Sequence, residues 1–125
     1  MLTLFINNDR YEPTHTIGAH ADNESGMFPE APIFSFSFGG TRDFVVRPLK
    51  TKKGGTGGKT QTFIVEDGDL IIMGGTLQRT HEHEVPLSLL KATRNRINFT
   101  CRSFVGEAFD ESSKNGEKKK IEIKW

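Results

Sequence analysis

Histidine and aspartate stand two residues apart at His20-Ala21-Asp22. In an extended segment, positions i and i+2 project from one face, so the imidazole and the carboxylate could reach one metal ion. A third ligand is available at His81 or His83, which follow an apolar run and a Gly-Gly step. Two histidines and one carboxylate on one side of a metal leave three positions open. That is the facial arrangement of non-haem Fe(II) oxygenases. Residues 96–102 (RINFTCR) then alternate polar and apolar side chains. With period two, Arg96, Asn98, Thr100 and Arg102 share one face, and Ile97, Phe99 and Cys101 the other. Turned to solvent, the polar face needs no partner. Turned into a barrel, two guanidinium groups, an amide and a hydroxyl call for an anion. A dicarboxylate such as 2-oxoglutarate meets that need.

The elements that must position these residues read as strands. Residues 33–38 (IFSFSF) alternate with period two, placing Phe34, Phe36 and Phe38 on one face and Ser35 and Ser37 on the other. This Phe-rich strand is expected to form the apolar wall of the pocket. Gly39-Gly40 follows as a turn, and Asp43–Arg47 reads as the next strand. Residues 61–65 and 69–73 read as two more, joined by Glu66-Asp67-Gly68, whose Asp-Gly step suits a tight hairpin. The last residues, KIEIKW, read as a short edge strand, and only residues 86–93 suggest a helical turn. Many short strands with Gly-rich turns predict an all-β sandwich or barrel.

Composition bounds the rest. A chain of 125 residues is one domain, and ten phenylalanines supply large apolar side chains for it. Seventeen basic residues against sixteen acidic ones give a net charge of +1, so any attraction to a polyanion must come from a local patch. The candidate patch is residues 50–59 (KTKKGGTGGK), a basic, glycine-rich loop. No apolar run reaches the length of a membrane span. The start, MLTLFINNDRY, lacks the basic and apolar regions of a secretory signal. One cysteine, Cys101, excludes an intrachain disulfide framework and fits an intracellular, reducing compartment, with cytoplasm and nucleus not distinguished.

The order of four blocks resembles the AlkB family of Fe(II)/2-oxoglutarate-dependent dioxygenases, the oxidative nucleic-acid demethylases. These blocks are Tyr11-Glu12-Pro13 leading into His20-Ala21-Asp22-Asn23-Glu24, then FSFGGTRDFVVR, EDGDLIIMGGTLQRTHEHEVP and RINFTCR. The resemblance covers residues 3 to 104. It implies a double-stranded β-helix, a cupin-like jelly roll with few helical residues. The catalytic core is then assigned to residues 1–109, with 110–125 a charged tail or edge strand. Implied cofactors are Fe(II), the cosubstrate 2-oxoglutarate and O2.

By the same resemblance, His20, Asp22 and His83 are the metal ligands, and His81 is a pocket-wall residue. Arg96 matches the arginine that pairs with the distal carboxylate of 2-oxoglutarate. Asn98 and Arg102 match polar residues at the cosubstrate's other end, and Tyr11 a tyrosine whose hydroxyl contacts it. Asp9 stands where the family usually has an asparagine. Glu24 matches the acidic residue that accepts a hydrogen bond from the exocyclic amine of a methylated base. The loop bearing Lys50, Lys52, Lys53 and Lys59 resembles a basic hairpin loop that grips duplex DNA in some relatives. The implied partner is alkylated DNA or RNA. The family's N-terminal lid over the base is not evident before Tyr11, and a second chain could supply it. The competing readings are a dioxygenase of the same fold acting on protein or a small molecule, and a non-catalytic nucleic-acid-binding module.

Overall fold

The computed structural model describes residues 2–28, 30–50, 58–87, 94–105 and 119–122, and for residues 2–9, 11, 105 and 119–122 the backbone alone. Among the described residues, nine strands and one short helix run in the order β1 (Leu2–Tyr11), β2 (Ile17–His20), β3 (Ile33–Gly39), β4 (Arg42–Pro48), β5 (Gln61–Val65), β6 (Leu70–Met73), α1 (Leu77–Thr80), β7 (His81–Val85), β8 (Arg96–Val105) and β9 (Lys119–Glu122). They form two antiparallel sheets, ordered β6-β3-β8-β1-β9 and β2-β7-β4-β5. This is the jelly roll: apart from the β4–β5 and β8–β9 steps, successive strands alternate between the two sheets.

That alternation corrects one expectation. The 61–65 and 69–73 segments are both strands, but they do not pair as a hairpin, because β5 and β6 lie in different sheets. The turn between them crosses the sandwich. Gly68 still takes the left-handed conformation, with φ at 87°, and its N–H donates to the Ser37 carbonyl. The Gly39-Gly40 step is also a crossing. Gly39 has φ at 91°, and a Cβ there would collide with the Asn95 carbonyl, so only glycine fits against the entry to β8. Of residues 86–93, 88–93 lie outside the described residues. The helical turn that is described is α1, between β6 and β7.

The interior of the sandwich is divided. At one end, Ile33, Phe44, Val65, Met73 and Val85 form an apolar cluster, with Ile17, Met27, Val46, Ile71 and Leu77 packed against it. Deeper along β3 and β8 the buried side chains are polar: Ser35, Ser37, Arg96, Asn98 and Thr100. The register explains this. Ser35 lies opposite Thr100 and Ser37 opposite Asn98, so the small hydroxyls of β3 face the polar side of β8.

The outer face of this sheet therefore carries the aromatic residues. Phe36 and Phe38 are 36% and 44% exposed, alongside Leu70, Ile72 and Ile97. The expectation that the 34–38 phenylalanines wall the pocket is overturned. The polar side chains of β8 need hydrogen-bond partners when buried, and serine supplies them where phenylalanine would not. The apolar pocket wall comes instead from Ile17, Phe44, Met73 and Val85.

Arg42 at the start of β4 is 2% exposed. Its guanidinium donates to the carbonyls of Glu12, Pro13 and His15 in the β1–β2 connection, and of Pro86 just after β7. It thereby ties down the loop that leads into His20. These bonds are part-buried, and leaving a carbonyl without a donor costs about 1–3 kcal/mol where water cannot replace it. Arg42→Met is expected to lower unfolding stability by about 3 kcal/mol. The check is the urea midpoint at unchanged slope. A loss below about 1 kcal/mol would mean that the carbonyls find other partners.

Candidate metal centre

β2 and β7 bring the first two chemical groups together. Ile17 pairs with Val85 and His20 with His83, with a register shift between the two pairs. The irregularity re-aims the end of β2, as bulges beside functional sites commonly do. The two imidazole rings lie 4.4 Å apart, and the His83 ring also stacks on Phe44 at 5.4 Å. Asp22 sits just past the end of β2, in a tight turn closed by the Asn23 N–H to the Ala21 carbonyl. Its Oδ1 is 3.7 Å from His20 Nε2 and its Oδ2 is 3.8 Å from His83 Nε2. One ligand atom from each of the three residues lies within 4.8 Å of the others.

Spacing left His81 and His83 as alternatives, and the register separates them. His83 faces His20, whereas His81 lies opposite Pro48 and its Nδ1 contacts the Thr80 hydroxyl.

The protonation states suit metal binding. His20 Nδ1 donates to the Gly18 carbonyl at 2.8 Å, which leaves Nε2 as the nitrogen on the Asp22 side. Burial pushes the His83 pKa below its ordinary value. Asp22 opposes that shift, while His20 and Arg102 add to it. His83 is therefore neutral at pH 7 and presents a lone pair. Asp22 is buried and accepts a 2.7 Å hydrogen bond from Arg102 Nη2. Two imidazoles and one carboxylate, converging on one side of a shared point, can hold a divalent iron and leave room for other ligands.

A cavity of about 170 Å3 opens beside this cluster, lined by Ser35, Arg96, Asn98, Thr100 and Arg102 on one side and the apolar wall on the other. Arg96 is 3% exposed, and its Nη2 donates to Ser37 Oγ at 2.8 Å and Asn98 Oδ1 at 2.7 Å. Asn98 Oδ1 also accepts from Ser35 Oγ, and Asn98 Nδ2 donates to Thr100 Oγ1 at 2.8 Å. The buried network holds the guanidinium plane still, which suits planar recognition of a carboxylate. The alternating polar face of β8 thus points inward, and the donor set fits a dicarboxylate.

Arg102 lines the same cavity and in addition holds two carboxylates. It bridges Asp22 and Glu24, reaching Glu24 Oε1 at 3.3 Å. Glu24 is exposed and is tied to the metal cluster through this shared arginine. On β1, Tyr11 pairs with Arg96 and Asp9 with Asn98, so the strand register brings both positions beside the polar face of β8. Their side chains lie outside the described ones. Lys50 and Lys59 are exposed, and Lys52 and Lys53 lie outside the described residues.

Sequence reasoning missed Gln78, whose side chain holds the Asp22 backbone, and it missed Ser35 and Ser37 as interior residues. For the serines a signal existed: their period-two spacing matches that of Asn98 and Thr100 on the paired strand.

Comparison with known proteins agrees with this geometry. The family described as "2OG-Fe(II) oxygenase superfamily" matches residues 3–102. The chain is 35% identical over 101 residues to the DNA oxidative demethylase ALKBH2 of Arabidopsis thaliana, covering 66% of this chain and 32% of that protein. It is 32% identical over 92 residues to the DNA oxidative demethylase ALKBH2 of Homo sapiens, covering 71% and 34%. An RNA replication protein of Grapevine virus A (isolate Is 151) is 30% identical over 94 residues, covering 75% of this chain and 5% of that protein. The chain thus spans about a third of the length of the two demethylases and a small fraction of the viral protein. The fold matches the solved structure titled "The structure of OsALKBH1" with a TM-score of 0.59 at 24% identity, over 76% of this chain and 47% of that one. The chain belongs to the 2OG-Fe(II) oxygenase superfamily as an AlkB-like member, a jelly-roll oxygenase whose cofactors are Fe(II), 2-oxoglutarate and O2.

Proposed function

We propose that this protein oxidatively demethylates N-alkylated bases in DNA or RNA. The observation that carries this reading is Glu24, an exposed carboxylate two residues beyond Asp22 and linked to it through Arg102. An acceptor at that place suits the exocyclic amine of adenine or cytosine. The two ALKBH2 relatives, named as DNA oxidative demethylases, add support. Iron with 2-oxoglutarate and O2 supplies the oxidising power, yielding succinate and CO2 while the N-methyl carbon leaves as formaldehyde.

The chain's own residues do the rest. His20, Asp22 and His83 hold the metal. The Gly18 carbonyl keeps the His20 proton on Nδ1 and so keeps Nε2 available. Arg96, steadied by Ser37 and Asn98, anchors the distal carboxylate, with Tyr11, Asn98 and Arg102 around the cosubstrate. Ile17, Phe44, Met73 and Val85 exclude water from one side of the cavity. Glu24 orients the base so that its alkyl group faces the metal.

The test is formaldehyde release over a panel of methylated single- and double-stranded DNA and RNA oligonucleotides. Conversion of 2-oxoglutarate without formaldehyde from any oligonucleotide would move the substrate to a protein or small molecule. No iron-dependent conversion at all would leave only a binding module.

The basic loop is assigned to the phosphate backbone. Lys50, Lys52 and Lys53 precede, and Lys59 follows, the glycines at positions 54, 55, 57 and 58. Each phosphate contact contributes about one unit to the salt dependence of duplex binding. Replacing all four lysines with serine is expected to weaken oligonucleotide binding and flatten its salt slope, while substrate-free conversion of 2-oxoglutarate is unchanged. An unaltered slope would exclude the loop as the grip.

A further inference from the structure

The Asp22 backbone is held from outside its own strand. Pairing between β2 and β7 ends at His20 opposite His83, so Asp22 has no ladder partner. Among the described residues, the turn around it is closed by the Asn23 N–H to the Ala21 carbonyl at 3.1 Å, a two-residue span with little stiffness of its own. Yet Asp22 is buried, and its N–H must be satisfied. The acceptor is Gln78 Oε1 at 2.8 Å, fifty-six residues away in sequence.

Gln78 sits on α1, the single helical turn that connects β6 to β7. Its amide is oriented from both ends: Oε1 takes the Asp22 N–H, and Nε2 lies 3.7 Å from Met73 Sδ. The orientation with oxygen toward Asp22 is the one that a backbone N–H requires. α1 leads straight into His81 and then His83. One side chain therefore links the two segments that carry the three clustered groups. Gln78 does not line the cavity beside Arg96. It lines a second cavity of about 170 Å3 on the far side of Asp22, shared with Glu24, Met27, Phe28 and Arg79.

We infer that Gln78 is a positioning residue for the metal centre, acting through the backbone N–H of Asp22 and setting where the carboxylate stands relative to His20 and His83. This rests on His20, Asp22 and His83 being the metal ligands. Residues that support a ligand typically change metal affinity about 10- to 100-fold when removed. A residue that supports the ligand's main chain belongs at the lower end of that range.

The experiment is a Mn(II) titration followed by electron paramagnetic resonance, in high salt to screen added charge, with thermal unfolding recorded in parallel. Gln78→Met keeps the length and removes the acceptor. Gln78→Glu keeps an acceptor oxygen. Gln78→Asn keeps the amide but falls short by one methylene. The expected result is about a tenfold weaker Mn(II) affinity for Gln78→Met and Gln78→Asn. Gln78→Glu should stay within about threefold of the parent, as a retained acceptor predicts. The 2-oxoglutarate requirement at saturating metal should not move, because Gln78 does not line that cavity.

If Gln78→Met does not fold, Gln78→Asn against Gln78→Glu decides. Equal Mn(II) affinity in parent and acceptor-less variants overturns the inference while leaving the ligand set intact. Weakening by Gln78→Glu as large as by Gln78→Met also overturns it, since packing rather than the hydrogen bond would then be at work. A parent protein that binds no Mn(II) at a single site, or whose affinity survives Asp22→Ala, removes the ligand set and the inference with it.

Discussion

Asp22→Ala is expected to abolish iron-dependent conversion of 2-oxoglutarate. Asp22 supplies the sole carboxylate of the three-residue cluster. Without it, two imidazoles face the metal position, and Arg102 loses the acceptor it holds at 2.7 Å. The local balance then shifts toward positive charge, which opposes a divalent cation. The fall in metal affinity should exceed the roughly 10- to 100-fold cost of losing a residue that merely supports a ligand. His81→Ala is the matched control, because His81 lies opposite Pro48 and outside the cluster. It should bind metal almost as the parent does. Metal titration settles the pair. A result with His81 essential and His83 dispensable would mean that β7 is read one pleat out of register.

Arg96→Lys is expected to raise the 2-oxoglutarate requirement about 10- to 100-fold, with metal binding retained. Hydrogen bonds to charged groups contribute about 1.5–3 kcal/mol, and each 1.4 kcal/mol is tenfold in affinity. An ammonium lacks the planar fork that meets both oxygens of a carboxylate. It also cannot donate to Ser37 and Asn98 as Arg96 does while aiming at a ligand. The measurement is the 2-oxoglutarate dependence of succinate formation, beside a metal titration of the same variant. An unchanged requirement would place the cosubstrate carboxylate elsewhere, and a lost metal site would make Arg96 a structural residue.

The chemistry of the site was more legible in the sequence than its surroundings were. His20 and Asp22 are close in the chain, so their nearness was legible locally, although Asp22 lies past the end of β2 and not on an extended strand. The period-two polar face of Arg96, Asn98, Thr100 and Arg102 is likewise local, and it does line the cavity. Strands β3, β4, β5, β6 and β8 were visible for the same reason, since pleat alternation and glycine turns are short-range signals. β7 was not. Its sequence, HEHEV, is polar at four positions of five and carries no hydrophobic run to mark it.

What the chain could not show locally was which face of each strand turns inward and which strand lies beside it. The phenylalanines of β3 looked like core, and they face outward. Once Ser35 and Ser37 are set opposite Thr100 and Asn98, buried polar groups satisfy one another, and that pairing outweighs burying three aromatic rings. The choice of His83 over His81 is a matter of register against β2, on a strand more than sixty residues away. The support of Asp22 by Gln78 spans a similar distance. By itself, the sequence determined the all-β class, the donor types and the polar face of one strand, because these follow from spacing along the backbone. The tertiary structure alone decided inward against outward and Gln78 as the support of Asp22, and it set His83, the ligand that the family resemblance implies, beside His20. Each of these is a contact between segments far apart in the chain, set by satisfying buried polar groups across two sheets, and no local period encodes it.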